Sequence, residues 1–207
     1  MMKKITIGIG CAVIMAGIIG AGAFVNAGLT PSGKFVKLRE EANKESVSED
    51  VVIKGKNTEI TEAEIKDAAI FYEAQGESQE DAIEDAKEEL EEYHALYSEA
   101  SKKGYTVTEK EVADYVSELR KTVSEADNSE EVKVMIEAYG DEDKYWEHMK
   151  EVYMTRLVVE KYTHDLLEDF NEKYTGELET DEYNKAWDKY FNGIKEDAVN
   201  REKFKTE

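Results

Sequence analysis

Residues Ala86 to Lys121 read AKEELEEYHALYSEASKKGYTVTEKEVADYVSELRK, and they predict two helices with a defined joint between them. In the first half, apolar residues recur every three or four positions, which places them on one face of a helix. These residues are Ala86, Leu90, Tyr93, Leu96, Tyr97 and Ala100. Lys102 and Lys103 suit the carbonyl end of a helix dipole, and Gly104 can adopt the left-handed conformation that closes a helix. The first helix should therefore end at these three residues.

The second helix should begin at Glu109. Thr108 can accept a hydrogen bond from the amide of Glu111, while the Glu111 carboxylate can reach back to the amide of Thr108, which is a capping box. An apolar face with helical spacing follows this start. Its members are Val112, Tyr115, Val116, Leu119 and Val123. The whole stretch predicts a helical hairpin.

The N-terminal segment 1–27 predicts export from the cytoplasm. Lys3 and Lys4 precede an uncharged run from Ile5 to Val25, about 21 residues, which suits either a cleaved signal peptide or a membrane anchor. The small-residue pattern that ends at Ala27 favours cleavage, and both alternatives place the remainder outside the cytoplasm. We expect the protein to be secreted or held at the extracellular face of the cell membrane. The only cysteine, Cys11, lies in this segment, so the exported part can form no internal disulfide.

The charge of the chain excludes two classes of partner. The formal net charge is −21, and the exported part is near −23 because the first segment contributes Lys3 and Lys4. Such a charge disfavours nucleic acid and anionic membrane surfaces. The run from Glu73 to Glu92 is rich in carboxylates but lacks the spaced Asp/Asn-Gly pattern of a calcium loop. We interpret it as a solvated helix face.

The remainder divides into a tether, 28–50, and a helical domain, 51–207. The tether is polar, and the break expected at Pro31 to Gly33 leaves room for only a short helix from Phe35 to Asn43. Val51 to Ile53 is the one strand-like run, and a single short strand must pair elsewhere or remain extended.

The domain is predicted to be mainly α. A second capping box, Thr61 to Glu64, opens a helix, and a short helix should begin at Ser129. The longest helical pattern runs from Asp141 to Tyr174 without Gly or Pro, and would span roughly 50 Å if continuous. A last helix, Thr180 to Lys195, should pack back on an earlier one.

Residues 51–174 resemble the N-terminal chaperone region of the SurA family and of the related PrsA-type foldases. The family's Ile-Thr-x-x-Glu helix start is matched by Ile60 to Glu64, and its Ala-x-Lys-x-Gly helix end by Ala100 to Gly104. The Gly-x-x-x-x-x-Tyr/Trp entry to a long helix is matched by Gly140 to Trp146, and the Leu-Val-Val-Glu-Lys of that helix by Leu157 to Lys161. The resemblance covers more than half of the chain.

The chain departs from the family in one respect. Family members with isomerase activity carry a parvulin domain, and only one helix is expected after Tyr174. The resemblance therefore implies that the protein binds unfolded or exported polypeptides in a helical cleft without isomerase chemistry. The alternative is a helical structural or interaction protein of the cell surface, and the oligomeric state is left open.

Aromatic and methionine side chains are the candidates for client binding, because they offer adaptable apolar contact. We single out Tyr145, Trp146, Met149 and Tyr153 on the long helix, and expect the first three to stay partly exposed. The competing interpretation is that aromatic residues fill the apolar seam of a thin bundle.

No catalytic, cofactor or metal site is predicted. His164 and Glu168 lie four residues apart on one helix face, but a third ligand is not evident. No phosphate-binding glycine loop is found, and no serine or cysteine has the setting of a nucleophile. We therefore expect the protein not to be an enzyme.

Overall fold

The computed structural model describes residues 31–44, 48 and 50–207. The helices are α1 Pro31–Ala42, α2 Glu62–Gln75, α3 Gln79–Lys102, α4 Glu109–Ser124, α5 Ser129–Glu137, α6 Glu142–Lys173 and α7 Asp181–Glu202. The strands are β1 Val51–Lys54, β2 Glu59–Thr61 and β3 Lys205–Thr206. The predicted mainly α class is confirmed. The predicted signal peptide or anchor, 1–27, lies outside the described residues, and within them no helix is both long and apolar enough to cross a membrane.

Both predicted capping boxes are present. The amide of Glu64 donates to Thr61 Oγ1 (3.2 Å), and the amide of Thr61 donates to Glu64 Oε2 (2.8 Å). Thr108 and Glu111 repeat this arrangement at the start of α4 with the same two distances. Gly104 has a φ of +91°, so the left-handed conformation expected after α3 is confirmed.

The prediction that α3 and α4 pack against each other as a helical hairpin is wrong. α3 packs on α2, α6 and α7, whereas α4 packs on α6 and α5. The hairpin partner of α3 is α2, joined to it through Gly76, which has a φ of +113°. The link after Gly104 is held by α6 instead, because Lys161 Nζ donates to the carbonyl of Thr106 (3.0 Å) and to Glu111 Oε1 (2.7 Å).

The predicted strand pairs on both sides. β1 is the central strand of a small antiparallel sheet, with β2 on one edge and β3 on the other. Ile53 lies opposite Ile60 in β2 and opposite Thr206 in β3, and both isoleucines are buried. The sheet thus joins the start of the described domain to its last residues.

The break expected at Pro31 to Gly33 is wrong, because these residues form the first turn of α1. Proline is well tolerated there, since the first amide of a helix has no partner within the helix. Phe35 is 2% exposed and packs with Ile70 and Met135. The predicted tether therefore contains a helix that is packed on α2 and α5.

The long helix is confirmed as one continuous α6, and α7 packs on α3 as expected, although it runs seven residues beyond Lys195 to Glu202. The core is distributed over four apolar clusters along these helices. The largest joins α4 and α5 to the first half of α6, and another joins α3 and α7 to its second half. α6 therefore connects the two halves of the domain.

The end of α7 is fastened by a buried carboxylate. Glu202 is 1% exposed and accepts hydrogen bonds from Ser98 Oγ (2.6 Å), Lys102 Nζ (2.9 Å) and the amide of Asn57 (2.8 Å). Burial raises the pKa of Glu202, but these donors outweigh it and lower the pKa to about 2. The carboxylate joins α7, α3 and the turn between β1 and β2.

Candidate functional site

A half-enclosed cavity of about 330 Å³ lies where the α2–α3 hairpin faces the first half of α6. We call it the cleft. Its apolar lining consists of Ala68, Leu90, Tyr93, Tyr139, Tyr145, Met149 and Val152. Its polar lining consists of Glu64, Asp67, His94, His148, Glu151, Thr155 and Arg156. The volume is at the lower end of the range for ligand sites and equals that of roughly ten liquid waters.

Helical periodicity explains which residues line the cleft. α2 contributes positions 64, 67 and 68, and α3 contributes positions 90, 93 and 94. Both sets have the spacing of neighbours on one helix face. α6 contributes the same spacing over three turns, from Tyr145 to Arg156. Three helices thus present one stripe each to a common space.

Most polar groups of the wall are bonded to other side chains of the protein. Tyr93 and Thr155 share a hydrogen bond between their hydroxyls (2.6 Å), which links α3 to α6. His94 Nε2 lies 3.1 Å from Glu64 Oε1, and His94 Nδ1 lies 2.7 Å from Thr58 Oγ1. Burial raises the pKa of Glu64, but the hydrogen bonds from His94 and Thr61 lower it overall.

A hydroxyl, an imidazole and a carboxylate in this order are also the groups of a hydrolytic triad. Thr58, however, does not line the cleft, and the other oxygen of Glu64 accepts from the amide of Thr61 in the helix cap. The geometry fastens the turn between β1 and β2 to α2 and α3. It does not present a nucleophile to the cavity.

Tyr139 forms the end wall of the cleft, just before α6 begins. Its ring contacts Tyr145 (centroids 5.1 Å apart) and stacks with His148 (6.4 Å), and the Arg39 guanidinium lies 4.2 Å from its centroid. Arg39 also pairs with Asp67 of the wall. α1 therefore supports the cleft from behind, although the sequence analysis placed its residues in the tether.

The predicted client-binding residues are divided between two environments. Tyr145 and Met149 line the cleft, whereas Trp146 lies toward α4 and the ring of Tyr153 packs at a tilt against that of Tyr115 (centroids 4.8 Å apart). The exposed fractions are 4% for Tyr145, 4% for Trp146 and 8% for Met149, so the expected partial exposure is wrong. Burial also raises the pKa of Tyr145. These side chains belong to the core, and two of them show one surface to the cavity.

The sequence analysis missed most of the lining. It did not select Ala68, Leu90 or Val152, nor the polar groups of the rim. The spacing of these residues marks the inner face of each helix, but no local signal shows which inner faces leave a gap.

A second recess, of about 500 Å³, lies between α4, α5 and the start of α6. Among its described lining residues Trp146 is the one aromatic side chain, and most of the others are polar or charged, including Arg120, Lys121 and Lys133. An apolar guest would remove these polar and charged groups from water without offering them hydrogen bonds, which is unfavourable. We therefore take the first cavity as the candidate site.

The structure adds a third group to the predicted pair on α6. Ligand atoms of His164, Asp165 and Glu168 all lie within 4.8 Å of one another, and all three side chains are exposed. Asp165 also accepts a hydrogen bond from the Tyr105 hydroxyl (2.7 Å), which raises the pKa of Tyr105 to about 12. Because the cluster is open to solvent, it offers no enclosed coordination shell.

The chain matches no family model, no curated protein and no solved structure. The resemblance to the SurA family therefore rests on the motifs quoted above and stays a prediction.

Proposed function

We propose that the protein is an extracytoplasmic chaperone that holds unfolded or exported polypeptide segments in the cleft and catalyses no reaction. One observation carries the proposal: the cleft has an apolar floor, and most of its polar wall groups are already bonded to other side chains of the protein. Such a site can shelter an apolar side chain without leaving many of its own polar groups unpaired.

The predicted family resemblance supports the same function. In the SurA-like interpretation, the matched segments form the walls of a client-binding cleft, and here Ile60 to Glu64 lead into α2 while Gly140 to Trp146 lead into α6. Both helices contribute lining residues. The proposed extracytoplasmic location rests on the pattern of segment 1–27.

The alternative, a helical rod or dimer seam, has less support. In the described part of the chain, the exposed large apolar side chains lie on four separate segments. They are Tyr115, Val134, Met154 and Leu178. Association through paired helices needs a continuous apolar stripe, and these four residues do not lie on one helix.

The proposal is tested by filling the cleft with a bulky side chain. Val152→Trp places a large ring in the cavity from α6, and Met154→Trp adds the same ring on the exposed side of the same helix. The full chain should suppress the aggregation of an unfolding client, measured by light scattering. Val152→Trp should weaken client binding by about tenfold, equivalent to ~1.4 kcal/mol, and Met154→Trp should leave it unchanged.

Circular dichroism and the melting temperature must first show that both variants are folded. If Val152→Trp fails to fold, Ala68→Leu fills the cavity from the opposite wall, on α2. Client protection that survives a folded, filled cleft contradicts the proposal, as does a wild-type chain without protection. A proline-peptide assay should show no acceleration of isomerisation.

A further inference from the structure

We infer that the cleft selects basic segments, in which one bulky aliphatic side chain is flanked by lysine or arginine. This inference rests on the proposed function and specifies the chemistry of its client. Its basis is the set of charged groups that line and surround the cleft.

Three carboxylates line the cavity, and two of them are engaged. Glu64 is held by His94 and by the cap of α2, and Asp67 is paired with Arg39. Glu151 is exposed and forms no ion pair with any residue that the structure describes. It precedes Val152 on α6, so its carboxylate stands at the rim beside the apolar floor.

The cation that lines the cleft is already neutralised. Arg156 Nε donates to Glu160 Oε1 (3.1 Å), and its guanidinium lies 5.8 Å from the centroid of the Tyr153 ring. The side chain is largely buried. The other lining side chains that can take up a proton to become cationic are the two histidines, of which His94 is bonded to Glu64 and His148 is stacked on Tyr139. Among the described lining residues, no lysine or arginine is left unpaired to oppose a basic client.

The charge of the whole chain acts in the same direction. With 48 acidic and 27 basic residues, the protein attracts cations over a Debye length and repels acidic segments. Such steering raises the association rate, and a local carboxylate then decides which segments stay bound. Glu151 is the group that can supply this local contact.

The size of the cavity limits the apolar part of the client. About 330 Å³ accommodates a single bulky side chain rather than a folded surface. In an extended segment, successive side chains point to opposite sides, so the side chains two positions before and after the one in the cleft face the same way and lie at the rim, roughly 7 Å from it. A lysine or arginine there would meet Glu151.

The experiment compares three short labelled peptides with the same central leucine, which carry lysine, glutamine or glutamate at the second position on either side of it. Binding to the full chain is measured by fluorescence anisotropy. At about 50 mM salt the lysine peptide should bind roughly tenfold more tightly than the glutamate peptide. At about 500 mM salt the difference should shrink to roughly threefold or less.

The decisive variants are Glu151→Lys and Glu172→Lys. Both reverse an exposed carboxylate on α6, but Glu172 lies in its last turn and does not line the cleft. Glu151→Lys should remove most of the preference for lysine, whereas Glu172→Lys should preserve it. Equal effects of the two variants, or equal binding of all three peptides, would overturn the inference and leave the proposed function intact. The absence of binding to every peptide would overturn both.

Discussion

Glu202 shows how much one residue contributes to this fold. The carboxylate is buried under donors from α3 and from the turn between β1 and β2. Glu202→Ala leaves these donors unpaired, so the free energy of unfolding should fall by about 2–4 kcal/mol. Chemical denaturation measures the change. Glu196→Ala, an exposed position on the same helix, should change it by less than about 0.5 kcal/mol. Equal effects at the two positions would show that the buried network contributes nothing.

The same carboxylate should make the fold sensitive to acid. Its pKa is about 2 in the folded chain, below the ordinary value of 4.5, so its stabilisation is complete above the ordinary value and is lost as the pH falls toward 2. Glu202→Gln should therefore lose less stability than the wild type between about pH 5 and pH 2. The measurement is the denaturation midpoint at each pH.

Glu111 is the matched control for this experiment. The hydrogen bond from Lys161 and those from Thr108 also lower its pKa to about 2, but its side chain is 48% exposed. Because solvent screens an exposed ion pair, the pKa shift of such a pair contributes less to the free energy of unfolding. Glu111→Gln should thus alter the acid dependence less than Glu202→Gln, and the reverse order would contradict our account of the buried site.

At the scale of the element, the joint after α3 depends on the backbone of Gly104. A Cβ at Gly104 would meet no atom within 4 Å, and the same is true of Gly193 inside α7, so substitution at either position is free of steric contact. Of these two glycines, only Gly104 has a positive φ. Gly104→Ala should lower the free energy of unfolding by about 1 kcal/mol, and Gly193→Ala should raise it by about 0.5–1 kcal/mol.

Thermal or chemical unfolding of the two alanine variants checks this prediction. Opposite signs are the expected result, because one substitution forces a left-handed residue and the other replaces glycine in a helix interior. A stabilising Gly104→Ala would mean that α3 can continue into the link, and the two-helix interpretation of Ala86 to Lys121 would then be wrong.

At the scale of the whole molecule, the net charge of −21 should make the fold sensitive to ionic strength. Excess carboxylates repel one another, while most of the ion pairs are exposed and contribute little. Raising NaCl from about 20 to about 500 mM should therefore raise the melting temperature by about 2–5 °C. If screening is the cause, choline chloride at equal ionic strength should raise the melting temperature by the same amount as NaCl. A lower melting temperature in salt would show that the ion pairs outweigh the repulsion.

The cleft is also a property of the whole molecule. Its walls come from α2, α3 and α6, and its end wall is supported by Arg39 of α1. Because Tyr145, Trp146 and Met149 are buried, replacing all three with alanine would unfold the core before it tested client binding. Glu151, which is exposed at the rim, and Val152, which is only partly buried in the floor, are better places to test function.

Local signals were sufficient for most of the helix boundaries. The capping boxes at Thr61 and Thr108 and the stop at Gly104 depend on atoms within a few residues, so the sequence predicts them without the rest of the fold. α7 was predicted too short, because its last turn is fastened by Glu202, whose partners are about a hundred residues away or more.

Helix type, helix ends and the apolar face of each helix follow from the order of the residues, since each depends on neighbours within one or two turns. Other features follow from packing between segments that are distant in the sequence. They are the pairing of α3 with α2 rather than with α4, the pairing of β1 with β3, and the burial of Tyr145. The same is true of the cleft, which is the space that three apolar faces leave unfilled. Such a gap depends on how side chains interdigitate, and periodicity along one helix carries no information about the helix opposite.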